Sequence, residues 1–224
     1  MQIQKSTLKY LTDLKKNNNR DWYNEHKDLF LKEQAKIKEV HLTILENLNK
    51  HDKIDRYKLY RIYRDVRFSK DKTPYQQHFA ASFSRKGQEL RGGYYIQIKP
   101  GNNSFLGGGF WNPEKDDLMR LRKEFELDAS EMRTILNDKK FISVFGKMEG
   151  DELKTAPRNF DKNHKNIDLI RKKGFVAVRK FTDQEVLSKN FTAIVDDSFK
   201  TLRPFFNLFS DILTTNLNGE SLLS

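Results

Sequence analysis

The chain has no cysteine among its 224 residues. That excludes disulfides, thiolate metal sites and thiol nucleophiles, and it fits a cytoplasmic setting. Long apolar runs are missing as well. Nothing approaches the roughly 20 residues that a membrane-crossing helix needs, and the opening Met-Gln-Ile-Gln-Lys-Ser-Thr has no apolar signal-peptide region. A soluble intracellular protein with no membrane partner is expected. Only five prolines and 11 glycines occur, and no Pro/Gly/Ser-rich linker interrupts the chain. One domain is therefore expected over 1–224.

Familiar catalytic motifs are absent too. His26, His41, His51, His78 and His164 show no metalloprotease or zinc-finger spacing, so no metal site is expected from them. There is no Gly-x-Ser-x-Gly elbow. The Gly107-Gly108-Gly109 run is followed by no Gly-Lys-Ser/Thr and lacks the dinucleotide fingerprint. A glycine run late in a strand reads first as a bulge or a close backbone approach. Arg91-Gly92-Gly93-Tyr94-Tyr95 starts like an RNA-recognition strand, but its later positions do not fit and no companion motif is visible.

What is present is charge and aromatic side chains. Lys and Arg number 42 against 31 acidic residues, a net of +11. Between Arg56 and Arg91 ten basic residues face only Asp65, Asp71 and Glu89, a local net of +7. Such a field steers anionic partners, nucleic acid among them. Hydrophobic content is only 37%, yet 17 phenylalanines supply large core side chains.

The order of elements points to α+β, with a central antiparallel or mixed sheet and helices packed around it. A helical hairpin is expected over about 6–49. Its first helix is capped at Ser6 or Thr7, and a long second one runs from a cap at Asp21 to about Asn49. The sheet core is expected over about 57–111, with strands at Leu59–Phe68, His78–Phe83 and Tyr94–Ile98, then a hairpin turn at Pro100-Gly101-Asn102-Asn103. From about 112 to 216 the chain should be mostly helical. Asn112 and Pro113 open one helix, Asp128 and Glu131 cap another, and Phe175–Phe181 is a lone strand. Pro204 should break the last amphipathic stretch near Leu202.

The most informative stretch is Arg61 to Tyr75. It holds three arginines, two lysines, two aspartates and two tyrosines in fifteen residues. Read as a strand, Tyr60, Ile62, Arg64, Val66 and Phe68 share a core face, so Arg64 should be largely buried and paired. On the other face Asp65 could sit between Arg61 and Arg67 and aim both. Asp71, Lys72 and Tyr75 would follow on a loop, where binding groups are commonly held.

These residues resemble the family known as domain of unknown function 2461, whose signature Arg-x-x-Arg-Asp-x-Arg-Phe, then Asp-Lys-x-x-Tyr, matches Arg61, Arg64, Asp65, Arg67, Phe68, Asp71, Lys72 and Tyr75. Further resemblance runs through Asn18–Tyr23, Gly93–Tyr95, Gly107–Trp111 and Leu153–Phe160. It implies a bacterial origin and a site at the signature, and assigns no activity and no cofactor.

Three functional classes remain open. One is a module binding an anionic, phosphate-bearing ligand or nucleic acid, with Arg61, Arg64, Arg67 and Lys72 on phosphate and Tyr75 or Tyr95 stacking. The second is an enzyme acting on a phosphorylated or carboxylated substrate, with Asp71, Lys72 or Tyr75 moving a proton. The third is a structural ion-pair network with function elsewhere. Asp65 and Asp71 could hold magnesium, although an ion pair is the simpler use of Asp65. A compact pocket enclosing Arg64, Asp71 and Tyr75 favours the enzyme, and a broad basic face favours nucleic acid.

Overall fold

A computed structural model describes residues 2–223. In chain order the elements are helices α1 (Lys5–Lys16), α2 (Arg20–Glu25) and α3 (Lys27–Leu48), then strands β1 (Ile54–Leu59), β2 (Phe79–Arg85), β3 (Gly93–Ile98) and β4 (Ser104–Phe110). There follow α4 (Lys115–Leu127), α5 (Ser130–Asn137), α6 (Lys139–Phe145) and α7 (Ile167–Ile170). After β5 (Phe175–Phe181) come α8 (Asp183–Val186), α9 (Phe191–Thr201) and α10 (Arg203–Thr214). The five strands form an open antiparallel sheet in the order β1-β2-β3-β4-β5, so the fold class is α+β. No helix among the described residues is long and apolar enough to cross a membrane.

Contacts divide the chain into two compact units, each gathered from separated stretches. The first comprises the segment up to Phe83 with Tyr95–Leu106 and Lys180–Asp197, and the second Ser84–Tyr94, Gly107–Arg179 and the segment from Ser198.

In the first unit α1 lies on α3, with Leu8, Leu11 and Leu14 buried on α1 and Ile37, Val40 and Ile44 buried on α3. The long second helix expected from the sequence is two helices. Asn19, not Asp21, caps α2 by accepting from the Trp22 amide at 2.9 Å. The helix stops at His26, whose Nδ1 lies 2.8 Å from the Trp22 carbonyl while its ring stacks on the indole at 4.1 Å. A local side-chain bond of this kind competes with helix continuation. The turn between β3 and β4 is also tied down: Asp183 accepts from the amides of Gly101 and Asn102 at 2.9 and 3.0 Å.

In the second unit the phenylalanines build the core. Phe209 packs against Phe205, Phe110 and Phe175, with ring centroids 4.5, 4.9 and 5.1 Å away. The glycine run lies inside β4 and marks a close backbone approach. Gly109 has φ +141°, and a Cβ there would run into the carbonyl oxygen of Phe175. The helix expected to open at Asn112-Pro113 starts instead at Lys115, with Glu114 as N-cap and no side-chain cap bond. The Phe110 and Trp111 carbonyls sit against Gly174, where a Cβ would lie 2.6 Å from the Trp111 oxygen, and this contact keeps the chain out of the helix until after Pro113. Asp128 accepts from Ser130, so α5 begins one residue later than its cap pattern implied. The break between α9 and α10 falls at Leu202, with Pro204 in the first turn of α10.

Candidate functional site

The expected strand Leu59–Phe68 ends at Leu59. Its last ladder bond runs from the Tyr60 amide to the Ala80 carbonyl at 2.9 Å. Beyond it, pairing survives only as a bridge between Tyr63 and Tyr75, closed by Gln76 N–H to Ile62 O at 2.6 Å and Arg64 N–H to Pro74 O at 2.9 Å. Side chains hold the rest, because Pro74 has no amide and the charged residues satisfy the loop themselves.

Arg64 is the brace of this loop. Its Nη1 donates to Asp71 Oδ2 at 2.6 Å, to the Thr73 carbonyl at 3.0 Å and to the Thr73 hydroxyl, and Nη2 reaches the Ser69 hydroxyl at 3.4 Å. Its side chain is 20% exposed, so the guanidinium is mostly covered, with Nη1 paired inside the loop. The Thr73 amide, then its hydroxyl, then Arg64 hold the Asp71 carboxyl below the usual aspartate range. Asp65 takes only one of the two arginines expected around it. Arg67 Nε and Nη2 donate to its two oxygens at 3.0 and 2.6 Å, while Arg61 contributes only through its field. These bonds lower the Asp65 carboxyl as well. Lys72 Nζ donates to the Val66 and Arg67 carbonyls at 3.0 and 3.4 Å, on the backbone of the loop.

Tyr75 is buried, 3% exposed. Asn18 holds its backbone from both sides, donating to the Tyr75 carbonyl at 2.9 Å and accepting from its amide at 3.1 Å. Its ring stacks on Tyr23 at 4.2 Å, with Tyr63 at 5.4 Å. Burial raises the Tyr75, Tyr23 and Tyr10 phenols, so all three are neutral near pH 7. The expected stacking role of Tyr75 therefore has no open ring face, and Tyr95 is half-buried between Tyr60 and Phe105. Phe68 departs furthest from its expected core position and stands 98% exposed at the loop tip.

Beside the loop lies a polar cleft of about 240 Å³, lined by Arg64, Asp71, Tyr75, Gln76, Gln77, His78, Gln97 and Lys99. It joins Arg64, Asp71 and Tyr75 of the signature and leaves Arg61, Asp65, Arg67 and Lys72 outside. His78, Gln97 and Lys99 were missed by sequence reading. Gln97 and Lys99 were visible as the polar alternation of β3 running into its turn, but nothing local says that this face meets the signature. Burial, with Lys99 nearby, lowers the His78 imidazole to about 4, so it is neutral at pH 7. No group of three or more His, Asp and Glu side chains among the described residues could hold a metal ion.

The family model described as "Conserved hypothetical protein (DUF2461)" matches residues 6–208. The chain belongs to this family. Comparison with curated proteins and with solved structures gave no match. In this DUF2461 chain the matched range takes in the whole loop, the cleft beside it and Asn18.

Proposed function

We propose that this protein binds a small anionic ligand, phosphate- or carboxylate-bearing, in the cleft between the signature loop and the end of β3. The observation that carries this reading is the union of Arg64, Lys99 and neutral His78 on one polar cavity wall. Lys99 makes no ion pair among the described residues, and Asp71 is already engaged by Arg64 and Thr73, so the surplus charge on the wall is positive. Gln76, Gln77 and Gln97 add neutral donors and acceptors of the kind that fix orientation in a small-molecule site. A nucleic-acid strand is less suited to this cleft, because Tyr75 offers no open ring.

Of the proton-transfer candidates, Asp71 is held ionised and Tyr75 neutral, and the Lys72 ammonium is bound to backbone carbonyls. That leaves His78, and burial that lowers its imidazole to about 4 makes it a weak base at pH 7, so the cleft favours binding over proton transfer.

The test is calorimetric titration with inorganic phosphate and pyrophosphate at fixed salt, in wild type and in Lys99→Ala. Binding should weaken about tenfold or more in the variant, since a charge-assisted hydrogen bond contributes about 1.5–3 kcal/mol. Equal affinity in a variant that melts normally would remove the reading.

A further inference from the structure

We propose that the tip of the signature loop, Phe68 with Arg67 and Lys70, is a stacking platform for single-stranded nucleic acid. The inference stands apart from the cleft, because neither Phe68, Arg67 nor Lys70 lines it.

Phe68 is 98% exposed, whereas the next most exposed large apolar side chain among the described residues, Leu127, is 65% exposed. No ring or cation lies against Phe68 among the described residues, so both ring faces are free. A floppy loop would make that exposure accidental, and this loop is braced throughout. Arg64 ties Asp71, Thr73 and Ser69 together, Asp65 clamps Arg67, and Lys72 holds the Val66 and Arg67 carbonyls. The turn itself closes through the Ser69 amide on the Val66 carbonyl at 3.3 Å. The ring is therefore presented on a preformed frame, and little ordering remains to be done on binding.

Charge selects the occupant. From Arg61 to Lys72 there are five basic residues and two acidic ones. Both acids are spent inside the loop, on Arg67 and Arg64. Arg61 and Lys70 are exposed and make no ion pair among the described residues, so an anionic partner is favoured. A free aromatic face among cations matches the way unpaired bases are bound, with the base on the ring and phosphates on the flanking charges. Tyr60 and Tyr63 on the same segment are only part-exposed and already pack against Tyr95 and Tyr75, so Phe68 alone carries the stacking. A lipid surface fits less well. Arg67, Ser69 and Lys70 flank the ring, so a single apolar side chain would have to supply the insertion. Duplexes keep their bases stacked on each other and offer no free face to Phe68.

The test is fluorescence anisotropy of the full chain with labelled oligo-U and oligo-dT of about ten nucleotides, at low and moderate salt, in wild type and Phe68→Ala. The wild type should bind both strands, more weakly as salt rises. Phe68→Ala should bind roughly tenfold more weakly, and Phe68→Trp should retain affinity. A side chain standing in water can be replaced without harm to folding, which a thermal melt checks. Equal binding by Phe68→Ala, no preference over a duplex of the same length, or no binding at low salt would each overturn the proposal. Loss of binding to phosphatidylserine vesicles in Phe68→Ala, with no oligonucleotide binding by wild type, would assign the tip to a membrane surface instead. Phosphate titration of Phe68→Ala separates the two sites, because the cleft should bind phosphate in this variant as it does in wild type.

Discussion

Asn18 and Tyr75 grip each other by two hydrogen bonds across 57 residues, the side-chain amide of one matching both backbone groups of the other. This fastens the segment before β2 to the turn between α1 and α2, and it places the Tyr75 ring on Tyr23. Asn18→Ala would leave a donor and an acceptor of a buried residue unsatisfied. A loss of about 1–3 kcal/mol is expected. Chemical denaturation of wild type and variant measures it, and Asn18→Asp, which keeps only the acceptor, should fall between them. Equal midpoints for all three would show that water replaces the amide without cost.

The Asp71 carboxyl titrates below its ordinary value of 3.8 because the folded loop holds the charged form. Its contribution is therefore complete above that value and is lost as pH falls through the lower folded one. Amides around Thr73 should lose protection, measured against the unstructured exchange rate at the same pH, both in acid and in Asp71→Asn at neutral pH, and in the variant the global melting temperature at neutral pH should stay nearly unchanged. A carboxyl titration followed by NMR with its midpoint above 3.8 would contradict this.

His41 is buried beside Tyr57 and Phe83, and burial lowers its imidazole from 6.5 to about 4. The unfolded chain takes up a proton below 6.5 that the folded chain refuses until near 4, so stability falls as pH drops through that window and is flat above it. The loss attributable to His41 at pH 4 is on the order of 3 kcal/mol. Denaturation of wild type and His41→Gln at pH 7 and pH 4.5 separates this from other groups, because the variant should show the smaller pH dependence. His78 shifts in the same direction, and its NMR titration midpoint should move upward when phosphate occupies the cleft.

Two glycines with positive φ should respond differently to alanine. At Gly109, φ is +141° and a Cβ would meet the Phe175 carbonyl; at Gly146, φ is +69° and nothing lies within 4 Å. Gly146 has ψ −108°, outside the left-handed helical well, and Gly146→Ala is expected to cost about 1–3 kcal/mol from this positive-φ backbone alone. Gly109→Ala adds a backbone clash and should exceed that, enough to lower soluble yield. Comparable melting temperatures would mean that β4 and β5 can separate freely at that point.

Local chemistry was enough to read the α+β class, the break at Pro204, the hairpin turn at Pro100 to Asn103 and the β5 strand, because each rests on neighbours in sequence: a ring without an amide, turn residues, a β-branched and aromatic run. It also singled out Arg64 and Asp71, whose partnership spans only seven residues. Phe68 was misplaced because alternation assumes a strand, and a strand needs a partner whose register only the folded sheet supplies. The cleft was invisible for the same reason. Lys99 and Gln97 come to Arg64 through the pairing of β1, β2 and β3, and Asn18 reaches Tyr75 from the helices. Residue types and short-range hydrogen bonds were thus set by the sequence alone; which face each residue shows, and what it meets across the sheet, was decided by long-range pairing, where one position of register turns a side chain from core to water.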